Sequence, residues 1–83
     1  MPKSEHLKDV LPGEQDLALQ FEVYSKLEDT EETLTVRICD ETGISTAVFG
    51  ADVKKYIDVN QLYIARFAKS VVVNEHLRIE LMK

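Results

Sequence analysis

Hydrophobic residues recur at every second position through most of this chain, the period of a strand with one face in a core and the other in water. Leu17, Leu19, Phe21 and Val23 alternate with Ala18, Gln20, Glu22 and Tyr24, which predicts a half-buried strand over 17–24. Leu34, Val36 and Ile38 alternate with Thr35, Arg37 and Cys39; after Asp40-Glu41-Thr42-Gly43, alternation resumes through Ile44, Thr46 and Val48 against Ser45, Ala47 and Phe49. Residues 33–49 are therefore expected to form a β-hairpin, with one face built for a core and the other carrying Arg37 and Phe49. Gly43 is expected where a short hairpin loop needs φ > 0, a conformation that a Cβ strains.

The flanking segments follow from the same reading. Residues 1–8 are polar and expected to be mobile until Leu7 or Val10 docks, and Leu11-Pro12-Gly13 is a turn signal. Ser25–Glu32 is charged, with no apolar period, and reads as a solvated loop; the ligand alternation and glycine of a calcium loop are absent. Gly50–Asp58 reads as a short helix, with Asp52 as its cap and Val53, Tyr56 and Ile57 on one face. A long strand follows Asn60-Gln61 and runs through Leu62–Val73. If Leu62 and Ile64 point inward, then Tyr63, Ala65 and Phe67 point outward, and a bulge around Ala65–Ala68 would change that phase. Asn74-Glu75 is the next turn, and Leu77, Ile79 and Leu81 alternate inward in a last strand. The order β-β-β-α-β-β predicts an all-β, five-stranded OB-fold, a Greek-key barrel with a short helix between strands 3 and 4. A small barrel of SH3 type lacks a helix at that point.

With 83 residues the chain is expected to be a single domain over 1–83 with a modest core. The 30% of charged residues and the net charge of −5 suit a soluble protein, and no apolar run approaches a membrane span or a signal peptide. An intracellular location is expected, nuclear in a eukaryote or cytoplasmic in a prokaryote. Cys39 is the one cysteine, so neither an internal disulfide nor a cysteine-based metal site can form. Charge is spread unevenly. Residues 1–53 carry twelve acids against four bases, and 54–83 carry six bases against three acids. A local positive groove can therefore survive on an acidic protein. His6 and His76 stand alone, with no nucleophile arrangement, phosphate-cradling glycine loop or metal-ligand spacing. Neither an enzyme nor a bound cofactor is expected.

Two stretches carry a resemblance. Leu7-Lys8-Asp9-Val10-Leu11-Pro12-Gly13, together with Asp40-Glu41-Thr42-Gly43-Ile44 and Val48-Phe49-Gly50, resembles the single-OB-fold single-stranded-DNA-binding proteins. These are the simple archaeal form and the B subunit of the sensor-of-single-stranded-DNA complex, with replication-protein-A OB domains more distant. The resemblance spans residues 7–81. It implies single-stranded DNA or RNA lying across the outer face of the second and third strands, with base stacking on Phe49 and phosphates at Arg37, Lys54, Lys55, Arg66 and Lys69. The family's other stacking aromatics align with Ala68 and Val72, so Tyr63 or Phe67 would have to take their place. DNA is the expected ligand over RNA, in genome maintenance. The alternative is a protein-interaction subunit of a DNA-maintenance or telomere-type complex, whose former nucleic-acid face meets protein.

Overall fold

The computed structural model describes residues 3–81, with only the backbone described at Lys3 and Ser4. Five strands close into a ring. They are β2 (Leu17–Asp29), β3 (Thr33–Asp40), β4 (Gly43–Gly50), β5 (Gln61–Val73) and β6 (His76–Leu81), and the four-residue helix α1 (Ala51–Lys54) lies between β4 and β5. A two-residue strand, β1 (Lys3–Ser4), runs parallel to β2. The sheet order is β1-β2-β3-β4-β6-β5, and β5 also pairs with β2, closing the barrel. This is the OB-fold expected from the order of the elements.

Closure depends on β5, whose first half pairs with β2 and whose second half pairs with β6. Its inner face must therefore stay inward across two neighbours. Leu19 sits opposite Ala65 and Leu17 opposite Ala68, so β5 carries one residue more than β2 over this step. That bulge contains Arg66 and Phe67, and Phe67 takes φ +61. The bulge lies where the sequence allowed one, and it decides the phase: Ala65, Ala68 and Ser70 are buried, whereas Leu62, Ile64 and Phe67 are exposed.

The hairpin of β3 and β4 reverses one expectation. Asp40 pairs with Gly43, and the register carries on to Val36↔Ala47 and Leu34↔Phe49. Directly opposed residues share a face, so Phe49 joins Leu34 and Val36 inside. It is 1% exposed and its ring lies 6.3 Å from that of Phe21, which in turn lies 6.4 Å from Tyr63. Phe49 is therefore a core residue and presents no ring to a base. Ile44, expected inward, is 65% exposed.

Gly43 departs from expectation too, because it does not take the left-handed conformation; among the described glycines Gly13 does, at φ +79. The Asp40 side chain closes this turn instead. Its Oδ1 accepts the Thr42 N–H at 2.7 Å, the Thr42 hydroxyl at 2.6 Å and the Gly43 N–H at 3.1 Å. Its Oδ2 accepts the Leu7 N–H at 2.9 Å. Asp40 thereby ties the N-terminal segment to the hairpin, beside the buried Leu7 of the 3-10 turn Leu7–Asp9. Part of the segment expected to be mobile is thus held; residues 1 and 2 lie outside the described residues.

Ser70 does similar work for the Leu11–Glu14 turn. Its buried hydroxyl donates to the Leu11 carbonyl and accepts the Glu14 N–H at 2.9 Å, while its own backbone exchanges bonds with Gly13 and Glu14. A buried polar side chain is tolerated when its donors and acceptors are met in this way.

Two further expectations shift. Ser25–Asp29 continues β2 rather than looping, and Thr30–Glu32 alone makes the turn into β3. Those added residues are solvated on both faces, so no apolar alternation marks them. The helix is shorter than expected. Gly50 is its N-cap and no side chain caps it, Tyr56 lies beyond it and is 68% exposed, and Ile57 and Val53 supply the contact with the core.

Replacing Phe49 by Ala should lower stability by about 3–5 kcal/mol, read from urea unfolding, since the site is fully enclosed. The Asp40 carboxyl is held below its ordinary value: burial pushes it up, but the hydrogen bonds from Leu7, Thr42 and Gly43 together outweigh that. A depressed folded-state pKa adds stability that is complete above the unfolded value and is lost as pH falls through the folded one. Asp40→Asn should therefore be destabilised relative to the parent near neutral pH by about 1 kcal/mol, with the two curves converging as pH falls through the folded-state pKa.

Candidate nucleic-acid interface

Alternation and register place the outward residues of β3, β4, β6 and the end of β5 in rows across the sheet. Arg37 lies opposite Thr46, Thr46 beside Arg78, and Arg78 opposite Val71. The next row runs Thr35, Val48, Glu80, Lys69. Glu80 is largely covered and is engaged from two sides. Arg78 Nε and Nη2 donate to its Oε2 at 3.0 and 2.7 Å, and Lys69 Nζ is 3.8 Å from Oε1. Arg37 is exposed and has no carboxylate partner among the described residues. Among the described residues, the face therefore holds three bases, Arg37, Arg78 and Lys69, against the acid Glu80. A shallow depression within it is lined by Arg37, Ile44, Thr46, His76 and Arg78.

The residues expected at phosphates do not all converge here. Arg37 and Lys69 share the face. Arg78, not among them, joins it because β6 lies parallel to β4, a pairing between segments some thirty residues apart in sequence. Its outward direction was readable from the flanking Leu77 and Ile79, but its neighbour was not. Lys54 is half-buried and donates to Asp29 at 2.7 Å and to the Thr30 carbonyl, which pins α1 to the β2–β3 turn. That bond holds the Asp29 carboxyl below its usual range. Lys55 is exposed and its ammonium lies 5.3 Å from the centre of the Tyr56 ring, a cation–π contact.

Neither remaining aromatic reaches this face. Tyr63 turns inward against Phe21, and its hydroxyl accepts the Asp58 N–H at 2.6 Å and donates to the Tyr56 carbonyl at 3.1 Å, which holds the loop after α1. Arg66 and Phe67 are exposed, but on the β5 bulge over the seam with β2.

The surface over that seam has the opposite charge. A groove between the N-terminal segment, β2 and the end of β3 is lined by Glu5, Glu22, Asp40 and Glu41 around Ala18 and Leu62. His6 Nδ1 lies 3.4 Å from Glu41 Oε1 at its rim. Phosphate is repelled here. The described residues hold no cluster of three or more His, Cys, Asp or Glu suited to a metal ion, and no helix is long and apolar enough to cross a membrane.

No family model matches the chain, and no curated protein resembles it in sequence. Solved structures do resemble it. The OB domain of MM0293 from Methanosarcina mazei, determined by NMR in solution, superimposes with a TM-score of 0.79 at 18% identity, covering 100% of this chain and 79% of that one. Schizosaccharomyces pombe Pot1pC, crystallised with single-stranded DNA of sequence CGGTTACGGT, superimposes with a TM-score of 0.77 at 8% identity, covering 98% of this chain and 77% of that one. Likeness of this degree, at such low identity, establishes the fold: the chain is an OB-fold domain.

Proposed function

We propose that this domain binds single-stranded nucleic acid, DNA in preference to RNA, across the outer face of β3, β4 and β6, and that it serves inside the cell in genome maintenance. One observation carries the reading: exposed Arg37 stands without a carboxylate partner among the described residues, beside Thr46 and Arg78, on the sheet face that OB-folds turn toward oligonucleotides. Support comes also from the single-stranded DNA bound by the Pot1pC neighbour and from the resemblance of the Asp40–Ile44 and Leu7–Gly13 motifs to single-stranded-DNA-binding proteins.

The chemistry of the face sets the mode of binding. Phosphates lie at Arg37, Arg78 and Lys69, and bases rest on Ile44 and Val71, which are apolar but have no π-face. Aromatic stacking, worth about 1–3 kcal/mol per base, is missing there, so affinity is modest and largely electrostatic. Counterion release from two or three phosphates of a single strand gives a slope of about −2 in log K against log salt.

The alternative, a protein-interaction subunit, draws its support from a different surface, the exposed apolar residues of β5.

Anisotropy titration of labelled oligo(dT) and oligo(U) at 50 mM and 200 mM salt tests the reading. Binding should weaken with salt, favour DNA, and fall at least about tenfold in Arg37→Ala, the loss of one charged contact worth ~1.5–3 kcal/mol. Absence of binding at 50 mM salt, or binding indifferent to both Arg37→Ala and Arg78→Ala, rejects it.

A further inference from the structure

The first half of β5 turns a ridge of large apolar side chains to solvent. Leu62, Ile64 and Phe67 are 62, 68 and 66% exposed, and all three lie on the outer side of the barrel because Tyr63, Ala65 and Ala68 face the core. Isolated exposed hydrophobics are ordinary, but neighbours on one strand form a patch of the kind that marks an interface. Glu22 stands directly opposite Leu62 and Gln20 opposite Ile64, and beyond Leu62 the ridge runs into the groove bordered by Glu5, Asp40 and Glu41.

We propose that this ridge and groove dock a basic amphipathic helix of a partner protein, with apolar residues on the ridge and Lys or Arg side chains against the carboxylates. Three features select that occupant. Along Leu62–Phe67 one edge of β5 is taken by β2, and the apolar groups stand on the outward face of the sheet, so a partner that covers them is recognised through side chains. Nucleic acid is disfavoured by the carboxylates. A second copy would bring a second set of the same carboxylates, Glu5, Glu22, Asp40 and Glu41, to a face already rich in them.

Size agrees with a helix. Leu62 to Phe67 spans roughly 16 Å of strand, the length of about 11 helical residues, or three turns. Leu62 and Ile64 stand about 7 Å apart along the strand, close to the 6 Å rise between helix positions i and i+4 at about 1.5 Å per residue. Arg66, exposed beside Phe67 at the far end from the groove, gives the face a polarity: the cationic end of the helix lies toward Glu22 and the groove.

This surface is distinct from the face of Arg37 and Arg78, and the two can fail separately. The test titrates the ¹⁵N-labelled domain with a designed helical peptide of about 14 residues carrying Leu at i, i+4 and i+7 and Lys on its flanks, with a Glu-for-Lys version and oligo(dT) in parallel. The Lys peptide should bind and shift the amides of Glu22, Leu62, Ile64 and Phe67. Phe67→Ser and Leu62→Ser, exposed sites whose folding circular dichroism verifies, should each weaken it at least tenfold, and Glu22→Lys should weaken it most at low salt. The Glu peptide should not bind, and Arg37→Ala should leave the peptide affinity unchanged. The proposal is overturned if the Lys peptide fails to bind at millimolar concentration or binds equally well to Phe67→Ser. Equal binding of the Glu peptide, oligo(dT) binding abolished by Phe67→Ser, or sedimentation showing a dimer that Leu62→Ser dissolves would overturn it as well.

Discussion

One strand has to serve two neighbours in this barrel, and most of the molecule is arranged around that demand. Strand β5 leaves β2 and joins β6 at the bulge of Arg66 and Phe67. Without the extra residue, the inward side of its first half would become the outward side of its second. A bulky residue held at φ +61 is strained locally, and the pairing on both sides of it offsets that strain. The inward residues at this crossing are small, Ala65, Ala68 and Ser70, while Phe21, Phe49 and Tyr63 fill the space beside them. Aromatic bulk inside is thus matched by small side chains where β5 bends across its two partners.

The same construction settles what remains outside. Directing Phe49 and Tyr63 inward removes two aromatic rings from the surface, and exposing Phe67 puts one over the seam with β2. The face of β3, β4 and β6 is left with guanidinium and ammonium groups, hydroxyls and aliphatic side chains. The seam of β2 and β5 is left with an aliphatic and aromatic ridge bordered by carboxylates. These two surfaces have opposite chemistry. A polyanion is attracted to the first and repelled by the second, and a cationic amphipathic segment has the reverse preference.

Much of the architecture could be read from residue order. The period of two in Leu17–Val23, Leu34–Ile38 and Leu77–Leu81 marks strands that keep one face in the core, and the structure keeps each of them. A bulge around Ala65–Ala68 was left open by the ambiguous phase of Leu62–Val73, since strands that bend around small barrels commonly contain one. The inward direction of Phe49 is also implicit in the residue order: a hairpin loop with an even number of residues pairs even positions of one strand with odd positions of the other, so Leu34 and Phe49 must share a face. By contrast, nothing local marks Ser25–Asp29 as strand, because its side chains meet water on both faces and carry no pattern. Nor does Asp40-Glu41-Thr42-Gly43 reveal that a carboxylate, rather than a left-handed glycine, closes the turn.

By itself the sequence determined the five strands of the barrel, the helix position and the acidic balance, since these follow from local periodicity and composition. Which side chains share a surface was decided only by the tertiary structure. Arg37 and Arg78 are neighbours through the parallel pairing of β4 with β6, and Leu62 faces Glu22 through the closure of β5 on β2. Both contacts join segments distant in sequence, and the register that places them is set by how the inner faces pack together around Phe21 and Phe49, which no local pattern records.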